Sequence, residues 1–286
     1  MSFPEKDISS EWSITVMKSM IFAAAAACML AFPAMAAGAS CDQLPQIRQA
    51  ADMGIAKAQI ELSNMYFMGS CVRQDYRASF SLAMKAAQQG DAGAEFMVAA
   101  HYTAGLGVNQ DVEKGTWWLW KSANHGEPHA QTMVGDLYRN GSQDYEEAMK
   151  WYLKAAEQGY AEAQNSYGEV YSTTHLPGTA LTDESFEWAE EEAKWFRKAA
   201  AQGNAKAQDN LGKMYYFGDR FAHDCGMALR LFQASAAQGN SDAEYHLGMM
   251  YDEGDCVRRD PGEAERWYRK SAARGNAQAK SALAGR

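Results

Sequence analysis

Between Ala205 and Tyr215 the apolar residues fall at Ala207, Leu211, Met214 and Tyr215. That spacing places one apolar stripe on one face of an α-helix. A second stripe, Ala264, Trp267, Tyr268, Ser271 and Ala272, predicts another amphipathic helix. The first kind of helix, helix A, ends on a glycine such as Gly218, which takes the left-handed cap at no steric cost. A loop follows, with an aspartate near its end: Asp75, Asp111, Asp144, Asp224 or Asp260. Such an aspartate is placed to cap the second helix, helix B. Gly212 lies inside helix A, where glycine costs roughly 1 kcal/mol against alanine. It is expected where a neighbouring helix packs closely upon it.

This alternation recurs. Gly54, Gly90, Gly126, Gly159, Gly203, Gly239 and Gly275 are separated by 36, 36, 33, 44, 36 and 36 residues. Tyr66, Tyr102, Tyr138, Tyr171, Tyr215 and Tyr251 keep the same rhythm, including its irregular steps. Two unrelated residue types sharing a period and its breaks mark tandem repeats. Complete repeats are expected at 56–91, 92–127, 128–160, 161–204, 205–240 and 241–276, about six full repeats over 56–276. A half-repeat precedes them at about 41–55, and another follows at 277–286. No Pro- or Ser-rich linker interrupts the array, so 37–286 reads as one domain. The third repeat lacks three residues between Gly141 and Asp144. The fourth gains eight around 172–192, with an acidic cluster of Asp183, Glu184, Glu187, Glu190, Glu191 and Glu192. A lengthened, solvated helix B is the expected result.

The stretch Ala148-Met149-Lys150-Trp151-Tyr152-Leu153-Lys154-Ala155-Ala156-Glu157-Gln158-Gly159, followed by Ala161-Glu162-Ala163-Gln164, resembles the Sel-1-like repeat family, a relative of the tetratricopeptide repeats. The resemblance covers residues 46–286. It implies an all-α fold, a right-handed superhelical solenoid of helix–turn–helix repeats with the A helices on its concave face. It also implies a non-catalytic protein-binding scaffold, inhibitor or regulator. Exported proteins similar to this one act on sensor kinases, envelope components or secreted toxins. By analogy with tetratricopeptide grooves, the binding residues are helix A positions that the fold leaves free: Asn64, Phe67, Phe96, Asp136, Arg139, Asn165, Glu169, Asp209, Lys213, Tyr216, Tyr245 and Met249. Isolated aromatics among mixed charges suit a protein or peptide partner. Some cysteine-rich relatives have been linked to β-lactam binding or hydrolysis, which leaves a β-lactam- or peptidoglycan-directed enzyme as the alternative.

Composition narrows the field. Of the 286 residues, 47% are hydrophobic and 22% charged, as in a globular chain. The net charge of −9 with no basic run argues against nucleic acid as a partner. Lys18, the apolar run from Ile21 to Phe32 and Ala34-Met35-Ala36 read as a signal peptide over 1–36, giving a periplasmic or secreted protein without stable membrane insertion after cleavage. Met17 is the expected true start, because Glu5, Asp7 and Glu11 outnumber Lys6 before it. Lipid modification at Cys41 is disfavoured by Gly38 three residues earlier.

No catalytic, metal or cofactor signature is expected. G-x-S-x-G, H-E-x-x-H, a phosphate-binding loop, C-x-x-C, S-x-x-K and K-T-G are all missing. His125 and His129 are four apart, but Gly126 and Pro128 separate them, so a loop or capping role outweighs metal. Trp118 shares the register of Trp151, Trp195 and Trp267 and is expected in the core. Trp117 and Trp120 exceed that need and are expected to pack on a neighbouring repeat rather than form an exposed convex patch.

Removing Cys28 with the signal leaves four cysteines, an even set suited to an oxidising compartment. Cys71 and Cys256 stand two residues after the capping Gly69 and Gly254. Cys225 opens a helix B, and Cys41 falls within one position of the same place in the leading half-repeat. The register therefore pairs Cys41 with Cys71 and Cys225 with Cys256, each about one repeat apart.

Overall fold

The computed structural model describes residues 41–175, 183–218 and 222–285. The expected signal peptide, the Met17 start and the centre of the fourth-repeat insertion lie outside them. Among the described residues, fourteen α-helices run in chain order: α1 Leu44–Asp52, α2 Ala56–Met68, α3 Tyr76–Gln88, α4 Ala92–Ala104, α5 Val112–Asn124, α6 Pro128–Leu137, α7 Tyr145–Glu157, α8 Ala161–His175, α9 Asp183–Ala201, α10 Ala205–Phe217, α11 Cys225–Ala237, α12 Ser241–Glu253, α13 Pro261–Ala273 and α14 Ala277–Ala284. The described residues contain no strand. The chain forms two compact units, one ending at Gln158 and the other beginning at Gly159. In each, an A helix packs on the B helix that follows it, and that B helix packs on the next A helix.

The caps explain the boundaries. Gly69, Gly105, Gly218 and Gly254 end α2, α4, α10 and α12 in the left-handed conformation. Asp75, Asp111, Asp144, Asp224 and Asp260 each accept backbone N–H groups from the first turn of the following B helix. These bonds satisfy donors that the helix itself leaves orphaned.

The interior glycine of helix A has the steric role its cost implied. A Cβ at Gly135, Gly168, Gly212 or Gly248 would stand 2.6, 2.7, 2.7 or 2.6 Å from the ring of Tyr152, Phe196, Phe232 or Tyr268. Each ring sits one residue after the repeating tryptophan position and is the deeper of the two. Tyr152 and Phe232 are fully buried, whereas Trp118 and Trp267 are only half-buried. Trp120 is buried, edge-on to Trp151 and Tyr138 at centroid distances of 5.5 and 5.9 Å. Trp117 is half-buried against Trp118.

The small residues near the ends of the B helices also have a role. Ser122, Ser235 and Ser271 hydroxyls donate to the carbonyls of Ala92, Ala205 and Ser241 at 2.7, 2.7 and 2.6 Å, tying helix B to the start of its own helix A.

Two repeats depart from the period. In the third, the three missing residues are absorbed by a π-helical turn over Tyr138–Ser142. Gln143, not Gly141, takes the left-handed position at φ 56°. In the fourth, α9 has 19 residues against 13 in α11 or α13, so helix B is lengthened at its start. That extension is not wholly solvated. Among the residues added at its start, Glu184, Phe186 and Glu187 are exposed, whereas Ser185 is buried, at helical spacing from the buried Ala189 and Glu192.

Candidate functional site

The helix A residues assigned to a binding groove divide sharply. Asn64, Phe67, Phe96, Asn165, Asp209 and Tyr216 are buried. Asp136, Arg139, Glu169, Lys213, Tyr245 and Met249 are half-buried. The expectation that the fold leaves all twelve free is therefore corrected for the first six, which neighbouring repeats cover.

The contacts show how. Phe67 meets His101 edge-on at 5.7 Å, and Phe96 stacks on His129 at 5.7 Å, each reaching into the next repeat. His129 also bonds through Nδ1 to Glu127 at 2.7 Å. In the second unit, Asn210 Nδ2 donates to Asn165 Oδ1 at 3.0 Å and to Glu169 Oε1 at 3.2 Å. His246 Nδ1 donates to Asp209 Oδ1 at 2.8 Å, and Lys213 lies 3.7 Å from the other oxygen. The Tyr216 hydroxyl donates to Glu253 at 3.0 Å, and burial followed by that carboxylate raises its pKa. The Tyr152 hydroxyl donates to Asp136 at 2.6 Å with Arg139 alongside. Its pKa is raised by burial first and by Asp136 second. Phe67, Phe96, Asn165, Asp209 and Tyr216 are thus each matched to a residue of the next repeat.

Two buried ionic sites had no sequence forecast. In four repeats, a helix A glutamine accepts from a glutamine just before the recurring glycine: Gln89 to Gln59, Gln158 to Gln131, Gln202 to Gln164 and Gln238 to Gln208. In the other two, the helix A residue is a fully buried glutamate. Glu95 meets Lys121 and His125, both at 2.8 Å. Glu244 meets Lys270 at 3.0 Å and Arg274 at 3.3 Å. The signal was the joint change of both members, Gln to Glu on helix A and Gln to a base on helix B.

The structure also joins a serine and a histidine. His101 Nδ1 donates to the Leu106 carbonyl at 2.7 Å, which directs Nε2 at the Ser79 hydroxyl 3.1 Å away. Ser63 donates to the Ser79 carbonyl at 2.8 Å. Burial lowers the His101 pKa against the partial opposition of Leu106. Both side chains are fully enclosed, so the pair has the geometry of a base and a hydroxyl without access for a substrate.

The four cysteines form Cys41–Cys71 and Cys225–Cys256, with Cα separations of 5.2 and 4.9 Å. Cys71 and Cys256 take left-handed φ values of 61° and 62°, where the second repeat has Gly107 at 73°. His223 Nε2 lies 3.3 Å from the Cys225 sulfur, but that sulfur is already bonded to Cys256.

Among the described residues, no helix is long and apolar enough to cross a membrane. The molecule is a helix-pair repeat protein stapled by disulfides. A model of the Sel1 repeat matches residues 56–91, 92–127, 128–160, 193–204, 205–240 and 241–276. The chain belongs to the Sel1 repeat family. In the fourth repeat, only the end of the lengthened helix B matches.

A Sel1 repeat protein from Oxalobacter formigenes is similar over 82% of this chain and all of its own, with 26% identity and a TM-score of 0.66. A protective antigen present in uropathogenic Escherichia coli strains, displaying an SLR fold, is 32% identical over 87% of this chain and 59% of its own, with a TM-score of 0.50. An immunity protein, Pa5087, from Pseudomonas aeruginosa is 20% identical over 76% of this chain and 81% of its own, with a TM-score of 0.45. No curated protein sequence matches the chain. The solenoid of helix–turn–helix repeats is thus the fold of the family.

Proposed function

We propose that this chain is a non-catalytic scaffold or regulator that captures another protein in the bacterial envelope. The observation that carries the reading is the divided helix A face. Asp136 and Arg139 in the first unit and Lys213, Tyr245 and Met249 in the second are half-buried, so each presents part of its side chain to solvent while keeping its contacts within the fold. Mixed charge beside aromatic and thioether groups suits a protein surface. Sel1 repeats commonly mediate protein–protein interaction, which supports the same reading.

The two disulfides support an oxidising compartment, since such bonds rarely persist in the cytosol. The enclosure of Ser79 and His101 supports a non-catalytic role.

Affinity capture from a periplasmic extract tests the reading. It predicts one stoichiometric partner, lost on Arg139→Ala or Lys213→Ala with the helical circular dichroism unchanged. Tyr216→Ala is a poor probe, because its buried ring and hydroxyl belong to the fold. No partner, together with nitrocefin turnover by the purified chain, would overturn the proposal in favour of the enzyme.

A further inference from the structure

An open cleft of about 730 Å³ lies in the first unit, and three arginines line it: Arg48, Arg73 and Arg77. No described carboxylate forms an ion pair with any of the three guanidinium groups. Asp75 is the one carboxylate in the lining, and its Oδ1 accepts the Arg77 and Ala78 backbone N–H groups at 2.9 and 3.0 Å. The lining therefore carries a net charge of +2 in a chain whose total is −9.

Repeat packing does not require these arginines. The place of Arg73 is held by Asn109 in the second repeat and by Arg258 in the sixth, and that of Arg77 by Glu113 and Gly262 in the same two repeats. The place of Arg48 is held by Met84 and Trp120 in the next two B helices.

The cleft is a built feature. Arg48 stands on α1, the helix that follows Cys41, and Arg73 lies two residues after Cys71, so the Cys41–Cys71 bridge ties their two segments together. Gly107, also in the lining, packs so closely on the Tyr76 carbonyl that a Cβ there would stand 2.1 Å from its oxygen. Tyr66, Val72 and Tyr76 add apolar surface.

We propose that this cleft binds an acidic peptide segment that presents two carboxylates. The proposal deepens the scaffold reading by naming the chemistry of one contact, and it rests on that reading. Planar guanidinium forks match carboxylates bidentately, and two negative charges balance the lining. The volume and the tyrosine and valine surface exceed what a bare inorganic anion fills and suit a peptide of a few residues.

Calorimetry with the oxidised chain at low ionic strength tests it, using acetyl-phenylalanyl-glutamate, a dianion, as the probe. Binding is expected, and the uncharged diamide should give no heat. Arg48→Gln, Arg73→Gln and Arg77→Gln should each weaken it about tenfold, as loss of one charge-assisted contact implies. Reduction of the Cys41–Cys71 bridge should weaken it as well. No binding at millimolar probe, equal binding by all three folded variants, or displacement by an equal concentration of inorganic phosphate would each overturn the proposal. Capture of an envelope partner reports separately. A partner still captured when the probe does not bind leaves the scaffold standing and removes this site. Probe binding without any partner does the reverse.

Discussion

Replacing Glu95 by glutamine probes the buried ionic site in a form that the molecule itself controls. Glu95 is fully buried and holds Lys121 and His125 at 2.8 Å each. The substitution removes the carboxylate charge and keeps the shape. Hydrogen bonds to charged groups contribute roughly 1.5–3 kcal/mol. The two partners here are 30% and 44% exposed, so water recovers part of their solvation and the expected loss is smaller, about 1–2 kcal/mol. The second substitution comes from the other repeats. His125→Gln on the Glu95→Gln background recreates the glutamine pair that joins Gln59 to Gln89 at 2.8 Å and Gln208 to Gln238 at 2.9 Å. It should recover about 1 kcal/mol, although His125→Gln alone should destabilise. Urea unfolding of the oxidised chain, followed by circular dichroism, measures the totals. Hydrogen exchange on α4 and α5 localises the change, because repeat arrays open in segments. A double variant no more stable than Glu95→Gln would refute the reasoning.

Gly212→Ala should lower stability by about 1 kcal/mol net, as roughly 1–3 kcal/mol of overpacking on Phe232 outweighs the better helix propensity. Gly226→Ala, which meets only the Asp224 side chain at 3.3 Å, should not destabilise, and paired thermal melts compare the two. Replacing Cys225 and Cys256 together by serine opens a link spanning 31 residues and should cost about 3–4 kcal/mol, read from denaturant midpoints under oxidising conditions. Because burial lowers the folded pKa of His101, the unfolded chain protonates first. Its contribution is complete above the ordinary histidine value of 6.5 and is lost as pH falls from there towards the folded value. Denaturation midpoints at pH 7.5 and 5.5 should differ more in the native chain than in His101→Gln.

The elements legible in the sequence are those whose chemistry is local and repeated. An aspartate three residues before the backbone N–H it caps, a glycine at a left-handed turn and a cysteine one repeat from its partner all follow from register. The groove was legible only in part, because variability between repeats has two causes that one sequence does not separate. Asn165 varies because it faces Asn210, and Asp209 because it faces His246; neither is free for a ligand. The shared tryptophan register is buried at Trp151 and Trp195 but only half-buried at Trp118 and Trp267, and the interior glycine of helix A receives the next ring, from Tyr152 or Phe232. The arginine cleft is not legible in the sequence because its lining comes from Arg48 on α1, Tyr66 on α2, residues 72–77 leading into α3 and Gly107 in the loop after α4.

The matched pairs also bear on how an array of near-identical units finds its own register. Helices with the same apolar face would pack almost equally well on the wrong neighbour, and hydrophobic burial alone barely distinguishes them. Polar partners make the distinction. If the B helix of the third repeat lay on the A helix of the second, Glu95 would meet Gln158 where it now meets His125, keeping a lysine at Lys154 but losing one base. If α11 lay there instead, Gln238 and Ala234 would leave the carboxylate with no cation from either place. An unpaired buried carboxylate is costly, whereas the native pair roughly balances its own desolvation. The stacked Phe96–His129 contact and the Asp209–His246 bond act likewise between consecutive A helices. The buried polar residues therefore add less to total stability than to the difference between the native order and its slipped alternatives. Their variation from repeat to repeat is what makes each interface distinct.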